Sequence, residues 1–457
     1  MTFMTHLKWF NNLFQRSENK FVYVPISLCH SKAQFHNNNL KQPKPNQILK
    51  NYLECNNHTK VLLLFRTLLR KKTSTFNSID SFSFLYALKA CINKKHSFIH
   101  GKQMHALIIK FGYESIIQLQ TSLLKVYAEG GNLFDAHQVF EEIPEKNIIC
   151  WTSLISAYVE NHRPNEGLEL FRLMLMNNVE PDQVVVTVAL SACADTGGLE
   201  MGEWIHDFVR RKQGMKIDLC LNNALINMYA KCGDIVNARK LFDSTRNKDV
   251  TTWTSMIIGH ALHGQAHEAL QLFSQMNIGR DKKNSSSSNF IVSPNDVTFI
   301  GVLMACSHAG LVEEGKCHFR SMTEEYGIQP REPHFGCMVD LLCRNGNLRD
   351  AYDFIMEMPV PPNAVIWRTL LGACSLHGDL ELGTEVRHKL LNLDPGYVGD
   401  SVAMSNIYAD KDMWNKKFIV RNQITKSRPP GFSSVEVGSV VSQFGTSNDN
   451  IPLMTDI

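Results

Sequence analysis

Twelve cysteines and eighteen histidines give this 457-residue chain its most obvious capacity for metal or redox chemistry. Structural zinc is usually held by closely spaced thiolates such as C-x-x-C, and hydrolytic zinc chemistry needs a bound water beside a proton-shuttling Glu, as in H-x-E. Neither pattern occurs anywhere in the sequence. Four cysteines instead share one register, each directly after an alanine: Ala90-Cys91, Ala192-Cys193, Ala305-Cys306 and Ala373-Cys374. Small apolar residues in a repeated position suit a tight helix–helix contact. With no secretory signal to imply an oxidising compartment, paired disulfides are not expected. The expectation is no metal, no cofactor and no catalytic residue.

The charge is unevenly placed. The first 50 residues carry seven Lys or Arg and one Glu, a net +6, while the whole chain is +3, so the remaining 407 residues are at −3. Any nucleic-acid binding by that remainder cannot rest on a broad basic field. The first 50 residues are basic, acid-poor and rich in Asn, Ser and Phe, which reads as a disordered organellar transit peptide. Leu7, Trp9, Phe10, Leu13 and Phe14 can share one helix face, so the mitochondrion is the expected destination and the chloroplast the alternative. No apolar run approaches the ~18 residues of a membrane span, and no membrane association is expected.

The elements that position any site are set by an internal repeat. Tyr127–Phe140 reads YAEGGNLFDAHQVF and Tyr229–Phe242 reads YAKCGDIVNARKLF, 102 residues apart. Trp151-Thr152-Ser153 returns at Trp253-Thr254-Ser255, and Ala90-Cys91 at Ala192-Cys193, with the same offset. The next Ala-Cys comes 11 residues late, and the excess lies in the Ser- and Lys-rich stretch at 277–293, read as a solvated surface insertion. Leu133, Ala136, Phe140 and Ile143 fall at helical spacing, with Asn132 as N-cap behind Gly131; Asp234 and Gly233 hold the same posts later, and Pro164 suits a first helical turn. The pattern is helix, tight turn, helix. A single such hairpin cannot bury its apolar face, so neighbours must stack.

Units of about 35, 36 and 31 residues with these motifs resemble the PLS subclass of plant pentatricopeptide repeat (PPR) proteins. Trp151-Thr152-Ser153-Leu154-Ile155 resembles the opening of a P motif, Leu190-Ser191-Ala192-Cys193 an L motif, and Asn223–Gly233 an S motif. The resemblance implies an all-α fold, a right-handed α-solenoid superhelix of stacked helix-turn-helix repeats. The array is placed at 51–363: a degenerate first motif at 51–80, then motifs starting at 81, 117, 148, 183, 219, 250, 296 and 332. Residues 364–440 resemble the family's E/E+ extension, through Trp367, Leu370-Leu371, Ala373-Cys374, Ser405–Ala409, Trp414 and Pro430–Val437, with Ser434 where relatives usually carry Trp; 441–457 is a tail. Trp367, Leu370, Ile407 and Trp414 serve either as core or as a recruiting surface. Related proteins often continue into a zinc deaminase-like domain, whose H-x-E and C-x-x-C signatures are missing here.

The family reads single-stranded RNA at roughly one base per repeat. The resemblance assigns base reading to the fifth and last residues of P and S motifs: Thr121 with Asn147, Thr152 with Asp182, Asn223 with Asp249, and Thr254 with Asn295. By the family's code these imply adenine, guanine, uracil and adenine, a site of the form 5′-A-G-N-U-A-N-N. L motifs put Leu85, Thr187 and Ile300 at the fifth position and are expected to read weakly, and Gly336 with Asn363 specifies no base. At the second position Ile149 fits base stacking, whereas Gln118, Cys220 and Thr251 do not. Thr, Asn and Asp are also ordinary helix-cap residues, so the assignment rests on four repeats placing suitable pairs in one register. The implied function is site recognition in organellar RNA processing, chiefly C-to-U editing with a deaminase-bearing PPR protein or another editing factor recruited in trans. RNA stabilisation, splicing or translation is the first alternative. A tetratricopeptide-like protein scaffold is the second, although its uniform 34-residue period fits poorly.

Overall fold

The computed structural model describes residues 45–70, 79–92, 97–212, 215–281, 292–422, 432–437 and 440–445. The described helices form consecutive antiparallel hairpins: α1 (Pro45–Glu54) with α2 (His58–Arg70), α3 (Ser81–Cys91) with α4 (Ser97–Lys110), α5 (Ile117–Glu129) with α6 (Leu133–Glu141), and α7 (Ile148–Glu160) with α8 (Pro164–Met176). Then come α9 (Gln183–Thr196) with α10 (Leu199–Arg211), α11 (Leu219–Lys231) with α12 (Ile235–Ser244), and α13 (Val250–Leu262) with α14 (Ala266–Asp281). The last four are α15 (Asp296–Ala309) with α16 (Val312–Glu324), α17 (Glu332–Arg344) with α18 (Leu348–Met356), α19 (Ala364–His377) with α20 (Leu380–Leu393), and α21 (Val398–Asp410) with α22 (Trp414–Asn422). From α3 on, the odd helices up to α19 begin at residues 81, 117, 148, 183, 219, 250, 296, 332 and 364, where the sequence motifs begin.

Each odd helix packs on the next odd helix, and each even helix on its own partner and on the odd helix that follows. The result is a solenoid with odd helices as one layer and even helices as the other. Local chemistry explains the turns. Asn132 caps α6, Asp234 caps α12 and Pro164 opens α8, while Gly131 and Gly233 adopt positive φ before those caps. The 102-residue offset reappears as contact: Phe140 meets Trp151 edge-on at 4.8 Å between ring centroids, and Phe242 meets Trp253 at 5.0 Å. His105 and His206 likewise bond the hydroxyls of Tyr127 and Tyr229 through Nδ1 at 3.1 and 2.9 Å. Burial holds both imidazoles below their usual range, which favours the neutral ring in this contact. Cys91, Cys193, Cys306 and Cys374 are buried between helices.

A second regularity lies at the C-terminal ends of the odd helices, whose last carbonyls have no partner within their own helix. At five of these junctions a side chain at the end of the following odd helix reaches back to the last turn, adding to the backbone N–H that each carbonyl receives from the turn after its helix. Asn161 donates to the Ala128 carbonyl at 3.1 Å, His263 to Ala230 at 2.7 Å, His308 to Ala261 at 2.8 Å and His377 to Cys343 at 3.1 Å, and the Cys232 thiol lies 3.5 Å from the Cys193 carbonyl. These contacts clasp neighbouring hairpins along one rim.

The core is shared in series. One apolar cluster runs from Leu49 to Leu341, a second from Phe335 to Val420, and α17 contributes Met338 and Leu341 to the first and Phe335 and Val339 to the second. Residues 364–422 therefore continue the same stack. Trp367, Leu370 and Ile407 are core, whereas Trp414 is 57% exposed on the terminal helix, which no further helix covers among the described residues.

Three expectations change. Residues 45–50, read as the end of a disordered leader, are the first turns of α1: Pro45 opens the helix without a wasted N–H, and Leu49 is fully buried. The rest of the expected leader lies outside the described residues. The insertion at 277–293 begins inside α14, which continues to Asp281. The all-helical solenoid is followed by a short hairpin. β1 (Phe432–Val437) pairs antiparallel with β2 (Val440–Gly445), crossing the expected boundary at 440. The β-branched and aromatic residues of the two strands suit a paired ladder.

Candidate functional site

The odd-helix layer carries a groove of about 940 Å³, lined by α9 (Thr187, Ser191), α11 (Leu219, Asn223), α13 (Thr251, Thr254) and the start of α15 (Asn295, Val297), together with Asp249 and Lys231. Two of the four sequence-derived pairs, Asn223 with Asp249 and Thr254 with Asn295, meet there. The other two pairs sit at the same helical register on α5, α7 and the residues preceding α7 and α9.

Helix-start chemistry positions the last residue of each pair. Asn147, Asp182, Asp249 and Asn295 are the N-caps of α7, α9, α13 and α15, each accepting the backbone N–H three residues on at 2.8–3.0 Å. The cap role that these residue types favour is thus realised at all four. It does not exhaust them, because a carboxylate or amide has a second polar atom.

The fifth residues reach across to the third residue of the next odd helix. Asn223 Nδ2 donates to Asp249 Oδ1 at 3.0 Å and lies 3.3 Å from Oδ2, while Asn223 Oδ1 accepts from Thr252 Oγ1 at 2.7 Å. The same Thr252 Oγ1 lies 2.7 Å from Asp249 Oδ1, so its one proton is shared between the amide oxygen and the carboxylate. The carboxylate therefore holds one side of the amide and the hydroxyl the other, so the amide cannot turn over without placing its oxygen against a charge. Burial pulls the Asp249 carboxyl upward, but the bonds from Thr252 and Asn223 outweigh it and leave the group below its ordinary value. Thr254 Oγ1 bonds Thr298 Oγ1 at 2.8 Å, and Thr298 in turn bonds the Asn295 cap at 2.9 Å. Thr121 Oγ1 bonds the Ile117 carbonyl at 2.8 Å and approaches Cys150 Sγ at 3.4 Å. Thr152 differs: Val185 stands where α7, α13 and α15 place Cys150, Thr252 and Thr298, and the Thr152 hydroxyl is buried without a hydrogen-bond partner among the described residues. Thr121, Asn223 and Thr254 are only 6–8% exposed. They line the wall; they do not project from it.

Sequence counting missed two features. The third-position partners Thr252 and Thr298 lie in the motif after the one they serve, so a motif-by-motif reading passes over them. The second helical position is also more apolar than Ile149 alone suggests. Ile149 is 55% exposed, and Phe82, Val184, Val297 and Val365 are exposed at the same position of α3, α9, α15 and α19. A row of bare apolar side chains beside a row of polar pairs can stack flat rings and read their edges.

The polar row closes at α19. Its fifth residue, Arg368, is held by Asp394 at 2.7 Å and Asp400 at 2.9 Å and lies 3.8 Å from the centre of the Tyr397 ring. The bond from Asp400 is the main cause that keeps its guanidinium firmly protonated. Electrostatically the groove is mildly acidic, because Asp218 and Asp249 outnumber Lys231, itself 3.0 Å from Asp195. Among the described residues no group of His, Cys, Asp and Glu could hold a metal ion, and no helix is long and apolar enough to cross a membrane.

Residues 146–195 match the PPR repeat family, and 121–148, 223–250, 251–277 and 334–360 match the PPR repeat. A pentatricopeptide repeat-containing protein of Arabidopsis thaliana is 36% identical over 447 residues, covering 88% of this chain and 81% of the relative. The chain belongs to the pentatricopeptide repeat family. A second Arabidopsis relative, whose name carries the words chloroplastic/mitochondrial, is 36% identical over 403 residues, covering 85% of this repeat protein and 61% of the relative. A third is 38% identical over 357 residues, covering 78% of this chain and 44% of the relative. Among solved structures, maize PPR10 in complex with an 18-nt psaJ RNA element aligns with a TM-score of 0.62 at 14% identity, covering 91% of this chain and 58% of that one. That likeness shows a shared helical-repeat solenoid.

Proposed function

We propose that this pentatricopeptide repeat protein binds single-stranded RNA sequence-specifically and serves organellar RNA processing as a site-recognition subunit. The observation that carries the proposal is the convergence of Asn223–Asp249 and Thr254–Asn295 in one groove, with the Asn223 amide clamped from both sides. An amide so held offers one donor and one acceptor in a fixed order, which suits the Watson–Crick edge of an unpaired base. With no net basic lining in the groove, discrimination in this reading rests on base edges more than on phosphate attraction. The RNA complex of the maize neighbour agrees with it.

Within that function the PLS register and E-type extension favour C-to-U editing, with a deaminase-bearing PPR protein or another editing factor acting in trans and with the mitochondrion, or else the chloroplast, as the compartment. In this reading the chain is not itself the enzyme. Thr121–Asn147, Thr152–Asp182, Asn223–Asp249 and Thr254–Asn295 read A, G, U and A, Ile149 stacks, and the clamped Arg368 marks where reading ends.

Two measurements test this. The purified protein should retain a strand containing 5′-A-G-N-U-A and lose most of that affinity on a scrambled strand; equal binding to both rejects sequence reading. Deep sequencing of organellar transcripts from plants lacking the protein should show lost C-to-U conversion downstream of such a site. Unchanged editing with altered transcript ends or splicing would move the protein to the stabilising or splicing role.

A further inference from the structure

The third residue of every odd helix from α3 to α21 is at most 6% exposed. Carbon is enough to fill that position, as Leu119, Val185, Leu221 and Ile366 do. A polar group buried there costs stability unless it is bonded, so Ser83, Thr252, Thr298 and Asp400 are informative exceptions. Each spends its polarity on a side chain of the odd helix before it. Ser83 reaches Asn46 at 2.6 Å, Thr252 reaches Asn223 at 2.7 Å, Thr298 reaches Thr254 at 2.8 Å and Asp400 reaches Arg368 at 2.9 Å.

Fifth residues in register with an apolar third residue behave differently. Leu85 and Gly336 have no side-chain polar group to bond. Thr187 turns its hydroxyl back to the Gln183 carbonyl at 2.8 Å, and Thr152 has no partner among the described residues. Polarity at the two positions therefore matches across the joint between units. The exception is His334, in register with Ile300, whose ring serves backbone: it accepts the Arg331 N–H and bonds the Asp296 carbonyl. Helix capping accounts for one part of each hydroxyl, since Thr252 and Thr298 accept the N–H of Asp249 and Asn295 at 3.3 and 3.2 Å. That bond takes a lone pair and leaves the proton, which Thr252 shares between Asn223 Oδ1 and Asp249 Oδ1.

We propose that the buried third residue of an odd helix is a positioning residue for the fifth residue of the helix before it, so that the discriminating power of one repeat is set by the sequence of the next. The proposal rests on the RNA-reading function proposed above. A hydroxyl or amide tied to a fixed neighbour has a settled division of donor and acceptor, whereas an untied hydroxyl turns and offers both. Asn223 and Thr254, tied to Thr252 and Thr298, are then the sharp discriminators. Thr121, 3.4 Å from the Cys150 thiol, is intermediate, and Thr152, in register with Val185, is the weak one.

The test uses the full-length protein in competition binding with strands built on 5′-A-G-N-U-A, varied to all four bases at the second position, assigned to Thr152, or at the fourth, assigned to Asn223. The wild-type protein should discriminate more sharply at the fourth position than at the second. Thr252→Val keeps the shape of the side chain and removes the hydroxyl; it should lower the preference at the fourth position roughly fivefold, the effect of one neutral hydrogen bond, and leave the second unchanged. Thr252→Ser restores the hydroxyl and should restore the preference. Val185→Thr should sharpen the second position by a similar factor and leave the fourth unchanged. If Thr252→Val weakens every strand equally and keeps the base ratios, its hydroxyl serves the helix cap alone and the proposal is overturned. Selective binding whose ratios move with neither Thr252→Val nor Val185→Thr also overturns it, while the RNA reading stands. A wild-type protein that binds all strands alike, or none, overturns the RNA reading and this inference with it.

Discussion

Asp249→Asn separates the structural and the reading roles of a single side chain. The side chain caps α13 by accepting the Thr252 N–H at 2.8 Å, and asparagine does this about as well as aspartate, so the cap survives. The orienting role does not. In the native protein, turning the Asn223 amide over would set its oxygen against the Asp249 carboxylate and forfeit a charge-assisted bond, worth roughly 1.5–3 kcal/mol. An asparagine at 249 offers an N–H on that side as readily as an oxygen, so both orientations of Asn223 become hydrogen-bonded. Uracil and cytosine differ in the order of donor and acceptor on their pairing edges, and one amide matches each in opposite orientations. The expected outcome is a drop or reversal of the U-to-C ratio at this position by about 5- to 30-fold, equivalent to roughly 1–2 kcal/mol. Overall stability should change by less than about 1 kcal/mol. Competition binding with two strands that differ only at this base reads the first quantity, and denaturant unfolding reads the second. An unchanged ratio with uniformly weaker binding would refute the argument that the carboxylate orients the amide.

Three further outcomes follow from the packing. Val185→Thr supplies the hydroxyl that Thr152 lacks, at the helical position held by Thr252 and Thr298 in their hairpins, and should be neutral to stabilising by about 1 kcal/mol in denaturant unfolding; a loss above about 1 kcal/mol would show that the pocket rejects it. Gly259→Ala would bring a new Cβ to 2.6 Å from the Ala230 Cβ, which cannot rotate away, so the clash should exceed the ~1 kcal/mol gain in helix propensity and leave the protein less stable by about 1–2 kcal/mol; a raised melting temperature would contradict this. Asp80 and Asp249 have folded-state pKa values below 3.8, so their contribution is complete above that pH and is lost as pH falls through the lower folded values; Asp80→Asn/Asp249→Asn should therefore show a shallower acid loss of stability below about pH 4 and no difference in pH dependence near 7.

Much of the architecture was legible because its causes are local or periodic. Asn132, Asp234, Pro164 and the glycines at 131 and 233 announce helix ends by residue type alone. The 102-residue offset carries the Phe140–Trp151 contact to Phe242–Trp253. What stayed hidden depends on relations between units. Asn46 lies among lysines and prolines that read as a leader, and only its contact with Asp80, 34 residues away, reveals a hairpin. Thr252 and Thr298 gain their meaning from Asn223 and Thr254 in preceding helices. Trp414 occupies a position that would be core in an interior hairpin but belongs to the last one. Nor does residue type show that Thr121, Asn223 and Thr254 are almost covered, since their burial is created by the neighbouring odd helix.

The clasp from Asn161, Cys232, His263, His308 and His377 lies along one rim of the odd-helix layer, while the caps and fifth residues lie toward the other. On α13 the Ala261 carbonyl is seven residues beyond Thr254 and twelve beyond Asp249, a lever of roughly 10–18 Å at 1.5 Å per residue. A tilt of about 5° at the clasped rim displaces the opposite rim by ~1–1.5 Å at each clasped joint. The clasped hairpins are thus leaves pinned at one edge, so any tilt between them opens the far edge more than the pinned one. In the RNA-reading function proposed above, such a tilt would alter the pitch between successive subsites and leave the make-up of each unchanged.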